Sequence, residues 1–132
     1  MTLKWSLAHT PSLGSSKIRS QAETFRTIFP ELGVNGSLAK DCKECPAKGK
    51  VFAKVGTVAL PDFVNGRLVD NESLGGYLEA KAGHFHVFYL VVNDTTAQNI
   101  DDALKVFNDL SDIGALLQED AANQGETSQG DQ

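Results

Sequence analysis

The stretch Lys50–Val58, KVFAKVGTV, decides the fold and the function that this sequence predicts. Apolar and β-branched residues alternate here with small or charged ones, which is typical of a strand with two different faces. The predicted strand presents two sets of side chains: Val51, Ala53, Val55 and Thr57 on one face, and Phe52, Lys54, Gly56 and Val58 on the other. Pro61 and Asp62 are expected to end this strand.

Turn signals after this strand predict an antiparallel sheet. Asn65-Gly66 is a strong tight-turn signal between FV and RLV and predicts a small hairpin. The segments LGGYLEAK and HFHVFYLVVND, joined at Ala82-Gly83, form the clearest long hairpin. The second half of HFHVFYLVV is almost entirely apolar, so we expect a central strand that is covered on both faces.

A helix is predicted on each side of the strands. Residues 15–29 form an amphipathic helix that Ser15 or Ser16 can cap and that Pro30 stops. Asp94, Thr95 and Thr96 offer caps for a final helix. The final helix carries a broad apolar stripe of Ile100, Ala103, Leu104, Phe107, Leu110, Ile113, Leu116 and Leu117.

These elements predict an α+β fold, with an N-terminal helix and a long C-terminal helix packed on an antiparallel sheet. The chain has 132 residues, of which 41% are hydrophobic, and this suffices for one domain with a core. We assign residues 1–118 to this domain. Residues 119–132 are acidic and polar, and we expect a disordered tail there.

Composition argues against several classes of function. The net charge of −5 disfavours nucleic acid as a partner, because a general nucleic-acid binder is normally basic. No apolar run reaches the roughly 18 residues that a membrane span needs. The first residues, MTLKWSLAHTPS, do not read as a secretory signal. No pattern in the chain calls for a cofactor.

Cys42 and Cys45 form a C-x-x-C pattern with three possible interpretations: a redox pair, a disulfide, or half of a zinc site. A structural zinc needs four ligands, and His84 and His86 would point to one face of a strand. A site of these four residues is therefore conceivable. The alternative is a loop pair of cysteines and two histidines on a half-exposed strand.

The segments LGVNGSLAK, PAKGKVFAKVGTV, FVNGRLV and SLGGYLEAKAGHFHVFYLVVN resemble the C-terminal part of the penicillin-recognising serine hydrolases. The similarity is strongest to the D-alanyl-D-alanine carboxypeptidase group of penicillin-binding proteins and covers residues 25–117. It implies the C-terminal part of the β-lactamase/transpeptidase-like fold. It also implies a peptidoglycan stem peptide or a β-lactam as ligand, and a periplasmic or secreted location.

The resemblance assigns roles to three residues of the predicted strand. Lys54 matches the lysine of the Lys-Thr-Gly motif and would attract the terminal carboxylate of the substrate. Gly56 matches the glycine that lets the substrate approach, and Thr57 matches the residue whose backbone N–H completes the oxyanion hole. Backbone donors of this kind are worth a factor of about 10² to 10³ each in acyl transfer.

The sequence departs from the family at two points. Val55 stands where the motif has threonine, so a hydroxyl that would help to bind the carboxylate is absent. Ser37 and Lys40 formally read Ser-x-x-Lys, but they lie in a Gly-rich loop, whereas the family's nucleophile opens a buried helix far upstream. We interpret the match at Ser37 as a coincidence. No Ser-x-Asn or Tyr-x-Asn motif accompanies it.

Two functions follow as expectations. The first is the substrate-binding wall of a serine carboxypeptidase-like hydrolase, which is inactive alone and would need an N-terminal catalytic half as partner. The second is a non-catalytic assembly module derived from the same fold. A half-domain of this kind exposes a sheet edge and an apolar face, so a homo-oligomer is expected.

Overall fold

The computed structural model describes residues 2–9 and 23–127. The elements, in chain order, are strand β1 (Thr2–His9), a short helix α1 (residues 23–26), a single 3-10 turn (Gly36–Leu38), strands β2 (Val51–Asp62), β3 (Arg67–Lys81) and β4 (His84–Ala97), and helix α2 (Ile100–Thr127). The predicted α+β class is confirmed, with an antiparallel sheet and a long C-terminal helix packed on it.

The sheet has the strand order β1-β4-β3-β2. β2, β3 and β4 form an antiparallel meander, in which Lys54 lies opposite Gly75 and Leu74 lies opposite Leu90. β1 pairs antiparallel with β4 and places Leu7 opposite Phe88. β4 is therefore an interior strand, and β2, which carries the candidate motif, lies at an edge.

Both predicted turns are present. The turn at Asn65-Gly66 connects β2 to β3, so it belongs to a long hairpin rather than to a separate small one. The carboxylate of Asp62 accepts hydrogen bonds from the backbone N–H groups of Val64 and Asn65. Gly66 has a φ of 62°, a left-handed backbone conformation in which a residue with a side chain would be strained. Ala82-Gly83 joins β3 to β4 as expected.

The core lies between one face of the sheet and α2. Its largest side chains include Leu74, Leu78, Phe88, Leu90 and Leu110, all buried. A Cβ on Gly114 of α2 would lie 3.3 Å from Leu74, so the bare glycine lets the helix approach the sheet closely. Burying one Leu or Phe side chain fully stabilises the fold by about 1.5–3 kcal/mol.

The opposite face of the sheet is only partly covered, which corrects the prediction for β4. Phe88 is 1% exposed on the helix side, whereas its neighbour Tyr89 is 51% exposed on the other side. At one end of this open face, residues of α1 and the turn that follows it provide cover: Phe25 and Phe29 pack edge-to-face on Tyr77, and Arg26 stacks on Phe52.

The start of α2 was predicted wrongly. Asp94, Thr95 and Thr96 do not cap the helix, because β4 runs through them and pairs Thr95 with Asp70. Asn99 caps it instead, and its Oδ1 accepts the backbone N–H of Asp102 at 3.0 Å. The predicted apolar stripe is also only partly buried, since Ile100, Leu104 and Leu116 are more than half exposed.

The helices near the two chain ends differ in extent from the predicted ones. α2 continues to Thr127 and so includes part of the segment assigned to a tail; the Gln118 side-chain amide donates to Glu79 O at 2.8 Å, and Ala121 is buried. Residues 128–132 lie outside the described residues. Of the N-terminal helix predicted at 15–29, residues 23–26 are helical, and 15–22, with both predicted caps, lie outside the description.

Candidate functional site: the edge strand β2

The first three residues of β2 are paired on both sides. On the side away from β3, Leu32 N–H donates to Val51 O and Ala53 N–H donates to Pro30 O, each at 2.9 Å. Glu31 forms a bridge with Phe52 between these two bonds. The segment 30–32 therefore acts as a short extra strand along residues 51–53.

The rest of the edge has no such cover in the described part of the chain. Backbone bonds alternate sides along an antiparallel strand, so Val55, Thr57 and Ala59 direct their N–H and C=O groups away from β3, like Ala53. No backbone segment among the described residues bonds to these outward groups. We call residues 54–62 the free edge.

Lys54 lies at the beginning of the free edge and is exposed. Its Nζ donates to the carbonyl oxygen of Val55 at 2.6 Å, and no carboxylate of the described residues forms an ion pair with it. The ammonium group therefore lies beside the outward backbone of the strand. This position suits a cation that attracts an anionic ligand to the edge.

Gly56 leaves the open face of the sheet bare next to Lys54. It is exposed and lies opposite Ser73, whose Oγ donates to Gly56 O at 3.3 Å. A Cβ at this position would lie 2.6 Å from that Oγ. Among the described residues, the atom that such a Cβ would meet thus belongs to a small and rotatable side chain.

Thr57 presents its backbone and its side chain to different partners. Its N–H points out from the free edge, while its Oγ1 donates to Glu72 Oε2 at 2.7 Å on the helix-facing side. The hydroxyl is therefore already engaged by the buried Glu72 carboxylate. Only the backbone N–H of this residue is free to donate to a ligand at the edge.

Behind Thr57 lies a pair of buried acids that the sequence analysis did not identify. Asp70 is 0% exposed and Glu72 is 2% exposed, and both lie on the helix-facing side of β3. Thr95 Oγ1 donates to the backbone oxygen of Asp70 at 2.8 Å, and Asp70 Oδ1 has no hydrogen-bond partner among the described residues. The period-two placement of Asp70, Glu72, Leu74 and Leu78 was the available signal.

Burial raises the pKa of both acids. For Asp70 the hydrogen bond from Thr95 opposes this rise. For Glu72 the hydrogen bond from Thr57 opposes it, and the negative charge of Asp70 adds to it. The protonated forms are therefore favoured relative to an exposed carboxyl group.

The other predicted site residues lie apart from this arrangement. Ser37 is exposed on the 3-10 turn, and within the described residues its hydroxyl has no hydrogen bond to Lys40 or to any other base. Among the residues that the structure describes, no base is thus in contact with the Ser37 hydroxyl.

The two cysteines form a disulfide, Cys42–Cys45, in the loop between the 3-10 turn and β2. Both side chains are partly buried and pack against the core. Among the described residues, which include His84 and His86, no group of three or more potential metal ligands is found. The structure therefore does not assemble the four-residue zinc site.

Comparison with known proteins finds no matching family model, no matching curated sequence and no matching solved structure. Within residues 2–9 and 23–127, no helix is long and apolar enough to span a membrane.

Proposed function

We propose that β2 forms one wall of a substrate-binding cleft like that of a serine D-alanyl-D-alanine carboxypeptidase, and that the chain does not hydrolyse substrate alone. The observation that carries this proposal is the outward Thr57 N–H on a free edge beside Lys54 and Gly56. The wall contains a donor for a developing oxyanion and a cation for a carboxylate. A serine with an adjacent base is also required for acyl transfer.

The proposed ligand is a peptide that ends in D-alanyl-D-alanine. An extended peptide can add to a free sheet edge through main-chain hydrogen bonds. Its terminal carboxylate would then lie near the Lys54 ammonium. A β-lactam carries a carboxylate and a strained carbonyl group, so it presents the same two features to the edge.

Amide chemical shifts test this proposal during titration with such a peptide at low protein concentration. We expect shifts at Val55, Thr57 and Ala59, and none at Val51 or Ala53. Lys54→Ala should weaken binding by up to about fivefold, as for a solvent-exposed ion pair, and Lys43→Ala serves as a matched exposed lysine. Equal binding of a C-terminally amidated peptide would contradict the role of Lys54.

A fluorescent penicillin tests the second half of the proposal. We expect no covalent labelling of the wild-type chain. Labelling that disappears in Ser37→Ala would show that the chain contains its own nucleophile and would overturn the assignment of β2 as a wall without catalytic activity.

The same free edge also favours a second function, which is assembly. Unpaired strand edges and exposed apolar side chains drive association. Near the free edge, Val58, Leu60, Phe63 and Val64 are all more than half exposed. We propose that the chain forms a homo-oligomer through this edge, which light scattering over a range of concentrations would detect.

A further inference from the structure

The free edge of β2 has two defined ends. At one end the segment 30–32 already occupies residues 51–53. At the other end the strand stops at Asp62 and turns at residues 63–66. Judged from the described residues, 54–62 are therefore the stretch of β2 that is left for pairing with a new strand.

These limits select one register for pairing with a second copy. In an antiparallel pair of identical strands, a two-fold axis lies midway along the paired segment. If the whole free edge is used, Lys54 pairs with Asp62 of the second copy and the axis passes through Val58. A shift of two residues toward the start of β2 would collide with segment 30–32. A shift the other way extends into the turn and shortens the ladder.

The outward backbone groups complement one another in this register. Thr57 lies opposite Ala59 of the second copy, and each can donate its N–H to the carbonyl oxygen of the other. Val55 N–H can donate to Pro61 O. Pro61 has no N–H to return, but Val55 O already accepts the Lys54 ammonium at 2.6 Å. No outward group of the edge is then left without a partner.

The side chains on the open face match as well. Lys54 lies beside Asp62 of the second copy, whose carboxylate also pairs with Arg67 Nε of its own chain at 3.1 Å, and the two-fold axis repeats this arrangement. Val58, which is 53% exposed, meets its own copy. Leu60, which is 57% exposed, covers the bare strand at Gly56. Lysine and proline on an edge normally discourage pairing, but here both are accommodated.

We propose that two copies of this chain dimerise by antiparallel pairing of their β2 strands about a two-fold axis at Val58, forming a continuous eight-stranded sheet from two four-stranded ones. The inference rests on the assembly function proposed above and supplies its partner and register. It also makes the dimer and the peptide ligand competitors, because both use the Thr57 N–H.

Cysteine cross-linking tests the register. In Val58→Cys the two new side chains face each other across the axis, with Cβ atoms about 4.5–5.5 Å apart, so mild oxidation should give a covalent dimer as the main product. In Leu60→Cys the two cysteines are about 13 Å apart along the strands, so little cross-linking is expected. The control matches Val58→Cys in face and in exposure.

A backbone substitution tests the pairing itself. Ala59→Pro removes an outward N–H from each copy and leaves the bonds between β2 and β3 intact, so dimerisation should weaken about tenfold or more. Ala59→Ser, which keeps the outward N–H at the same position, is the control, and circular dichroism confirms that both variants fold.

The possible outcomes separate the two proposals. The wild-type chain can be tested by light scattering at about 0.5 mM, which is well above the Kd of a complex of micromolar affinity. If it stays monomeric there, both the assembly function and the register are contradicted. A dimer by mass in which Val58→Cys cross-links no better than Leu60→Cys leaves the assembly function standing and overturns the register.

Discussion

The short paired part of β2, residues 51–53, and the longer free edge, residues 54–62, belong to one strand but have different surroundings. Residues 51–53 are paired on both sides, and Val51 and Ala53 are buried in the same core cluster as Leu78. Within the described part of the chain, residues 54–62 have a partner strand on one side only, and a pair of buried acids lies behind them. The paired part fixes the strand in the fold, and this allows the free edge to remain accessible.

The largest expected difference between the paired part and the free edge is in side-chain packing. Leu78 of β3 lies opposite Val51 in the paired part of β2. Leu78→Ala should lower the free energy of unfolding by about 2–5 kcal/mol because it leaves a cavity in a fully buried site. Leu60→Ala in the free edge should change the free energy of unfolding by less than about 0.5 kcal/mol, because the side chain is mostly exposed.

Urea denaturation measures both variants under conditions in which the chain is monomeric. A similar loss of stability in the two variants would mean that Leu60 is buried in solution. The contrast between the paired part and the free edge would then be wrong.

A pair of glycines tests the same contrast at the level of the backbone. A Cβ on Gly76 would overlap the carbonyl oxygen of Phe52 and lie 2.7 Å from the Cα of Ala53. Gly76→Ala should therefore force the paired strands apart and cost about 1–3 kcal/mol of stability. A Cβ on Gly56 meets only the rotatable Ser73 hydroxyl, so Gly56→Ala should be nearly neutral.

Thermal melting of the two glycine variants gives the comparison directly. If Gly56→Ala lowered the thermal stability as much as Gly76→Ala, the free edge would be as tightly constrained as the paired part of β2.

The difference between the paired part and the free edge of β2 also explains what could be predicted from the sequence. The alternation in KVFAKVGTV and the turns at Asn65-Gly66 and Ala82-Gly83 are local signals, and they placed Lys54 and Thr57 on opposite faces of a strand correctly. The pairing of segment 30–32 with β2 joins residues about twenty positions apart across an irregular loop. No local pattern indicates it, so the extent of the free edge could not be predicted.

The buried acids were missed for a related reason. Asp70 and Glu72 lie in the polar stretch VDNES, which resembles a loop in sequence. Tertiary packing overrides that composition, because β3 places both residues on the same face as Leu74. Likewise, Thr95 and Thr96 have the composition of a helix cap but are held in β4 by pairing with Asp70 and Val69 of β3.

The smallest expected effect comes from these acids, because the hydrogen bond from Thr57 opposes the rise in the pKa of Glu72 that burial causes. A raised folded-state pKa stabilises the fold below the unfolded pKa, and this contribution is lost as the pH rises through the folded value. Glu72→Gln removes it and keeps an acceptor for Thr57. The variant should therefore gain stability relative to wild type as the pH rises from about 4 to 7.

Asp62, at the end of the free edge, provides a control of opposite sign. Hydrogen bonds from Asn65 and Arg67 lower the pKa of Asp62, so its contribution is present above the unfolded pKa and is lost as the pH falls. Asp62→Asn should therefore lose stability relative to wild type as the pH rises through the same range. Urea denaturation across this range measures both trends, and parallel profiles for the two variants would contradict the difference between an acid behind β2 and an acid at its exposed end.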